Sequence, residues 1–381
     1  RVGSQRRPPA GAHMPQHPRW QPCQPTLRDR MAISGNAPRH PPHPRDAVAA
    51  GVPAARRGFL ALMALCMLPG ARAFGEAQKH LIVTSPMRSR VAYLTLPASG
   101  ALPTGNTAMR ILTSEGLKFP QGVAVDQYRK RLFVADPNLG MLAGYDIHHE
   151  RNGLRVGPLW NAAKNVEVRS VAVDGLGNVF FADEPRQLIM RVTADQLDRG
   201  DANAQVVYDA SNVPEVSAPG GVALDNYFVY WLNKANGNQV GTVIRALQDP
   251  TLVTPSNSSS SSLAETSSSL EVVSLAANAV KCYGICIALG NIFYTDESRN
   301  VYGIPRAATA RHNPVTISTA LREPRGCAYD GDGTVYVADK DLNAVYQFAS
   351  NMNKLTSDRP LTKAADLEGA YAVAVYVQIM D

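Results

Sequence analysis

The chain has 381 residues, 45% of them apolar, enough for a sizeable core in one large or two ordinary domains. Its formal charge is +6, but residues 1–57 carry ten arginines against two acids, Asp29 and Asp46, which leaves residues 58–381 at −2. The basic balance belongs to the leader, so the bulk electrostatic argument for a nucleic-acid partner falls away.

In chain order, residues 1–57 come first, with eleven of the 27 prolines and almost no periodic apolar pattern. They read as a disordered Pro/Arg-rich leader. After Arg56-Arg57, residues 58–73 follow, with an apolar run from Phe59 to Leu68, a Pro-Gly break and Ala71-Arg72-Ala73. Basic start, short apolar centre and small-residue end are the parts of a secretory signal peptide, cut after Ala73. The apolar run is about half of what a membrane span needs. An uncleaved signal anchor and an organelle-targeting leader remain as alternatives.

From residue 74 onward the chain repeats itself. The units are "FPQGVAVDQYRKRLFVAD" at Phe119, "EVRSVAVDGLGNVFFAD" at Glu167, "APGGVALDNYFVYWLN" at Ala218, "KCYGICIALGNIFYTD" at Lys281 and "EPRGCAYDGDGTVYVAD" at Glu323. Their anchors are Gly122, Ser170, Gly221, Gly284 and Gly326, at spacings in the range of propeller blades once the serine tract 256–270 is set aside. Each unit is two short strands rich in Val, Phe, Tyr and Ala, apolar on successive residues, as in sheets covered on both faces. The Asp/Gly/Asn links supply hairpin turns.

The C-terminal "LEGAYAVAVYVQIMD" reads as an opening strand anchored at Gly369, without later strands. The segment from His80 to Pro97 reads as later strands without an opener. Pairing the two closes the ring as a sixth blade, so that no sheet edge is left open. The expected fold is all-β: a six-bladed β-propeller over 74–381, closed by strands from both termini.

Pro120-Gln121-Gly122 and Pro324-Arg325-Gly326, each followed by an apolar strand and later by Val-Ala-Asp, make these units resemble NHL repeats. The third and fourth units are similar to the low-density-lipoprotein-receptor YWTD type, the third through Tyr230-Trp231. The resemblance implies a propeller and leaves the function open, because this ring serves unrelated tasks. The gluconolactonase/senescence-marker group shares the ring and holds one divalent metal at the axis with Glu, Asn and Asp. Here the corresponding openers bring one carboxylate, Glu368, among arginines, a poor donor set for a hard cation.

The recurring Asp136, Asp183, Asp296 and Asp339, with Asn233 in the third unit, recur at one place in each blade. They read as caps of backbone N–H groups and not as catalytic carboxylates. The same holds for Asp126, Asp174, Asp225 and Asp330. His148-His149 are placed in an inter-strand loop. No Gly-x-Ser-x-Gly or Cys/His pairing points to a nucleophile. Cys282, Cys286 and Cys327 read as small strand residues with at most one disulfide, its pairing open.

The residues just before the anchors remain: Gln121, Arg169, Gly220, Tyr283, Arg325 and Glu368. They are expected at the mouth of the central channel, where Gln121, Arg169, Tyr283, Arg325 and Glu368 converge on one ligand. Arg suits planar acidic groups. Asn257-Ser258-Ser259 in the serine tract is a glycosylation sequon that suits a secretory route. The favoured function is a monomeric, non-catalytic scaffold for a protein, peptide or glycan. It needs no cofactor, metal or nucleic acid, and no membrane span after signal removal. The alternative is a metal-dependent hydrolase of the gluconolactonase type.

Overall fold

The structure is a computed structural model that describes residues 77–97, 108–151, 153–234, 241–252, 272–278, 280–350 and 354–379. The leader, the signal region and the serine tract with Asn257 lie outside these residues. The described residues belong to one compact unit, Gly70–Asp381.

The chain enters through β1 (Ala77–Ser85), β2 (Arg90–Thr95) and β3 (Arg110–Thr113). Blade one holds β4 (Gly122–Asp126), β5 (Arg131–Asp136) and β6 (Met141–Glu150), with β7 (Gly153–Val156) and β8 (Trp160–Lys164) both paired to β6. Blade two is β9 (Val168–Val173), β10 (Val179–Asp183), β11 (Leu188–Val192) and β12 (Gln205–Asp209). Blade three is β13 (Pro219–Leu224), β14 (Phe228–Lys234), β15 (Gly241–Leu247) and β16 (Val273–Asn278). Blade four is β17 (Cys282–Ala288), β18 (Asn291–Asp296), β19 (Val301–Pro305) and β20 (Val315–Ser318). Blade five is β21 (Pro324–Tyr329), β22 (Thr334–Asp339), β23 (Ala344–Ala349) and β24 (Thr362–Asp366). The last strand, β25 (Val373–Ile379), pairs antiparallel with β1, from Ala77↔Ile379 to Val83↔Val373.

The sixth blade is therefore β25-β1-β2-β3, built from both ends of the chain. The inner strands β4, β9, β13, β17, β21 and β25 touch in sequence, and β25 touches β4, so the circle is shut. The fold is the six-bladed β-propeller that the repeats predict. Its one α-helix among the described residues is α1 (Ala194–Asp198), started by a Thr193/Gln196 capping box.

The strands are apolar on successive residues because each blade is covered on both sides. Leu132, Phe133, Val134 and Ala135 of β5 are all fully buried. Phe133 and Ala135 pack towards blade two, while Leu132 and Val134 pack towards the closing blade. The small anchor has an equally direct cause. A Cβ on Gly284 would stand 2.0 Å from the carbonyl oxygen of Arg325, and one on Gly326 would stand 2.7 Å from Cα of Ala372. Neighbouring inner strands approach too closely there for a larger residue.

The same contact corrects the sixth unit. Ala372 holds the anchor place, 46 residues after Gly326, and Gly369 lies in the turn before it at φ +66°. His148 and His149 also differ from expectation. They lie inside the long strand β6, which runs on to form an extra hairpin with β7.

Candidate functional site

Every inner strand begins at one end of the ring, the mouth face, and ends at the other, the turn face. At the mouth opens an axial cavity of about 300 Å³. Its rim holds the pre-anchor residues Gln121, Arg169, Gly220, Tyr283 and Arg325 together. These are the residues singled out from the sequence, except Glu368. That carboxylate lies outside the cavity lining and bonds Arg88 through both oxygens, at 2.7 and 2.6 Å. The sixth rim position is held by Tyr371, the residue before Ala372.

Gly220 leaves a gap that another blade-three residue fills. An added Cβ there would stand 3.0 Å from Cε of Lys234, which crosses from β14 to the rim. The rim thus reads Gln121, Arg169, Lys234, Tyr283, Arg325, Tyr371. Sequence reasoning missed Lys234 because it sits on a second strand. It missed Tyr371 because Leu-Glu-Gly imitates an opener, although Ala372-Val373-Ala374-Val375 repeats the anchor-Val-Ala-Val pattern of Gly122 and Ser170.

Carboxylates hold these cations in place. Arg169 donates from Nη2 to Glu167 at 2.6 Å and lies 2.8 Å from Glu184 through Nε. Lys234 donates to the same Glu184 at 2.6 Å. Burial pushes the Lys234 ammonium pKa down, against the pull of Glu184. Arg325 donates to Glu323, which also accepts from Lys340 at 3.1 Å.

Arg325 is 8% exposed, with its guanidinium carbon 3.9 Å from the Tyr283 ring centroid and 5.8 Å from that of Tyr371. A guanidinium held between two π faces gains cation–π attraction while staying desolvated. Its Nε and Nη1 make no hydrogen bond of acceptable geometry. Burial raises the pKa of both tyrosine hydroxyls, with Arg325 opposing the shift, so both stay protonated donors at neutral pH. The arrangement can bind an anionic or planar polar group. Among the described residues no three His, Cys, Asp or Glu side chains converge as metal ligands.

The recurring aspartates stand elsewhere, as caps. Asp136 accepts from the backbone N–H groups of Lys118, Phe119 and Asn138. Asp339 accepts from those of Arg322, Glu323, Asp341 and Leu342. The second series closes hairpin turns: Asp126 on Tyr128 and Arg129, Asp174 on Leu176 and Asn178, Asp225 on Tyr227 and Phe228, Asp330 on Asp332 and Thr334.

Two cysteines on adjacent inner strands, Cys286 of β17 and Cys327 of β21, form a disulfide with Cα atoms 5.6 Å apart. Cys282 is buried and free, its thiol pKa pushed up by burial. Among the described residues no helix is long and apolar enough to cross a membrane.

No family model matches the sequence. No curated protein matches it either. Solved structures do. A chain of a nidogen/laminin complex is 14% identical, with TM-score 0.55, over 78% of this chain and 98% of that one. A gluconolactonase from Xanthomonas campestris is 13% identical, with TM-score 0.47, over 78% and 87%. A 6-phosphogluconolactonase homologue from Bacteroides fragilis, described as putative, is 10% identical, with TM-score 0.49, over 81% and 99%. At such identities the first of these likenesses speaks to the fold alone, and the chain is by its architecture a β-propeller protein.

Proposed function

We propose that the protein is a non-catalytic propeller scaffold, acting as a monomer, that takes an acidic group of a protein, peptide or glycan partner at the mouth of its channel. The carrying observation is Arg325, held by Glu323 and set against the Tyr283 and Tyr371 rings at the rim of the cavity, beside Arg169 and Lys234. Gln121, Arg169 and Lys234 complete the rim. Glu368, paired with Arg88, takes no part. The nidogen/laminin likeness supports the idea that such a ring can serve in a protein complex.

The units are of NHL type, with the third and fourth blades tending to the YWTD type, on the strength of their Pro-x-Gly openers and Tyr230-Trp231. The protein enters the secretory route. The signal-like 58–73 segment supports this, and so does the Cys286–Cys327 bridge, since structural disulfides persist mainly in oxidising compartments.

Calorimetric titration with Asp/Glu-rich peptides and uronate-bearing glycans tests the reading. The wild-type ring binds one of the two classes. Arg169→Ala with Arg325→Ala weakens that binding by about tenfold or more, the scale of a lost charge-assisted pair. Unchanged affinity removes the rim from consideration. Elemental analysis separates the alternative: about one tightly held Ca²⁺ or Zn²⁺ per chain would favour a hydrolase. A mature N-terminus at Phe74, read by mass spectrometry, supports secretion, and retained Arg56-Arg57 does not.

A further inference from the structure

The opposite end of the ring carries a second pattern. Eight large apolar side chains are exposed among the described residues, and five of them share one position. Tyr128 (86% exposed), Leu176 (74%), Tyr227 (72%) and Leu289 (46%) sit in the turns after the inner strands β4, β9, β13 and β17. Ile379 (71%) ends the inner strand β25. Only blade five departs, with Asp330-Gly331-Asp332-Gly333 in that place. The five side chains therefore circle the axis on the turn face, one per blade. Turn positions favour Gly, Asn and Asp, and among the described residues Tyr128 is the one tip with a ring contact, the Arg129 guanidinium standing 5.9 Å from its ring centroid. The turns are already closed by Asp126, Asp174 and Asp225.

We propose that the turn face is a peripheral docking surface for a lipid bilayer, with these five side chains as the inserted tips. Their distribution selects this partner. Each turn tip stands alone among polar or glycine turn residues, such as Gln127, Asp174 and Asn226, and the five tips lie on five different blades. A protein interface needs a contiguous desolvated centre, which scattered tips do not offer. A bilayer surface closes around each tip separately. Tyrosine suits the headgroup level, and leucine and isoleucine reach the acyl boundary. The charges there are mixed. Exposed Lys130 and half-buried Arg129 stand beside Tyr128, while Asp225 and Asp332 stand in the turns of blades three and five. Docking is therefore apolar in origin and asks for no anionic lipid. Strand β1 begins on this face at Ala77, beside Ile379. The mouth face stays free for its own ligand, and the two activities are separable.

The test is co-sedimentation of the full chain with phosphatidylcholine vesicles. Wild-type protein sediments with the vesicles. Tyr128→Ser, Leu176→Ser and Tyr227→Ser together cut the bound fraction by about tenfold or more, since three partly buried apolar side chains are lost. The thermal midpoint is unchanged. Met87→Ser, an exposed apolar residue on the mouth face, leaves binding intact. Absence of wild-type binding overturns the proposal. Equal binding by the triple variant also overturns it. A requirement for phosphatidylserine assigns any binding to the basic leader and has the same effect.

Discussion

A buried carboxylate recurs at the end of the second strand in four of the blades, and its work is local. Asp339 is fully buried and accepts from four backbone N–H groups outside the strands, two before β21 and two in the turn after β22. Removing a buried acceptor leaves each donor with its desolvation cost. Asp339→Ala is expected to destabilise the ring by about 3 kcal/mol or more, and Asp339→Asn by less, as the amide oxygen still accepts. Denaturant unfolding of both variants checks this. Equal stability of the alanine variant would show that water replaces the cap. The repetition of such residues is what makes a catalytic reading poor: Asp136, Asp183 and Asp296 stand in other blades, spread round the circle. At the rim the same scale decides recognition. Arg325 and Tyr283 were legible from their places before Gly326 and Gly284. Lys234 was not, because its approach depends on the missing side chain of Gly220 in another strand.

At the scale of elements, the closing blade is where the ring is joined. His80 of β1 is 2% exposed and its ring is held by Thr95 of β2 at 3.1 Å and Gln378 of β25 at 3.2 Å. Tyr376 stacks on it at 6.2 Å and is bonded in turn by His149 of β6 at 2.6 Å. Burial lowers the pKa of both histidines below 6.5, helped by His149 acting on His80 and by Lys130 and His148 acting on His149. Among the described residues no carboxylate bonds either ring. The unfolded chain takes up both protons as pH falls through 6.5, while the folded ring resists until lower pH. Stability is therefore full above that value and lost as pH falls towards the folded pKa values. Thermal midpoints measured from about pH 7.5 to about pH 5 should drop, and the slope should flatten in His80→Gln with His149→Gln. An unaltered slope would place the acid sensitivity elsewhere.

For the whole molecule, one covalent staple joins blades four and five at the hub. Cys286 and Cys327 are 41 residues apart, and closing such a loop restricts the unfolded chain by about 4 kcal/mol in the chain-entropy model. Reduction, or Cys286→Ser with Cys327→Ser, is expected to lower stability by up to about that amount while leaving the six blades in place. Non-reducing peptide mapping should find Cys282 as the free thiol of the three. A ring that unfolds identically with and without reductant would argue that strand pairing alone carries the hub.

The sequence by itself determined the number of blades, the strand pairs inside each and the closure by both ends. All of these follow from local turn chemistry and from apolar runs that must be covered on two faces. It also marked four of the six rim positions that meet at the cavity, because a small anchor recurs wherever inner strands crowd. Only the tertiary structure decided that Ala372 anchors the last blade in place of Gly369, since that depends on which Cα faces Gly326 across the hub. It alone paired Cys286 with Cys327, gathered the exposed turn tips onto one face and brought Lys234 and Tyr371 to the rim. Those are contacts between strands far apart in the chain, and no spacing within a repeat encodes them.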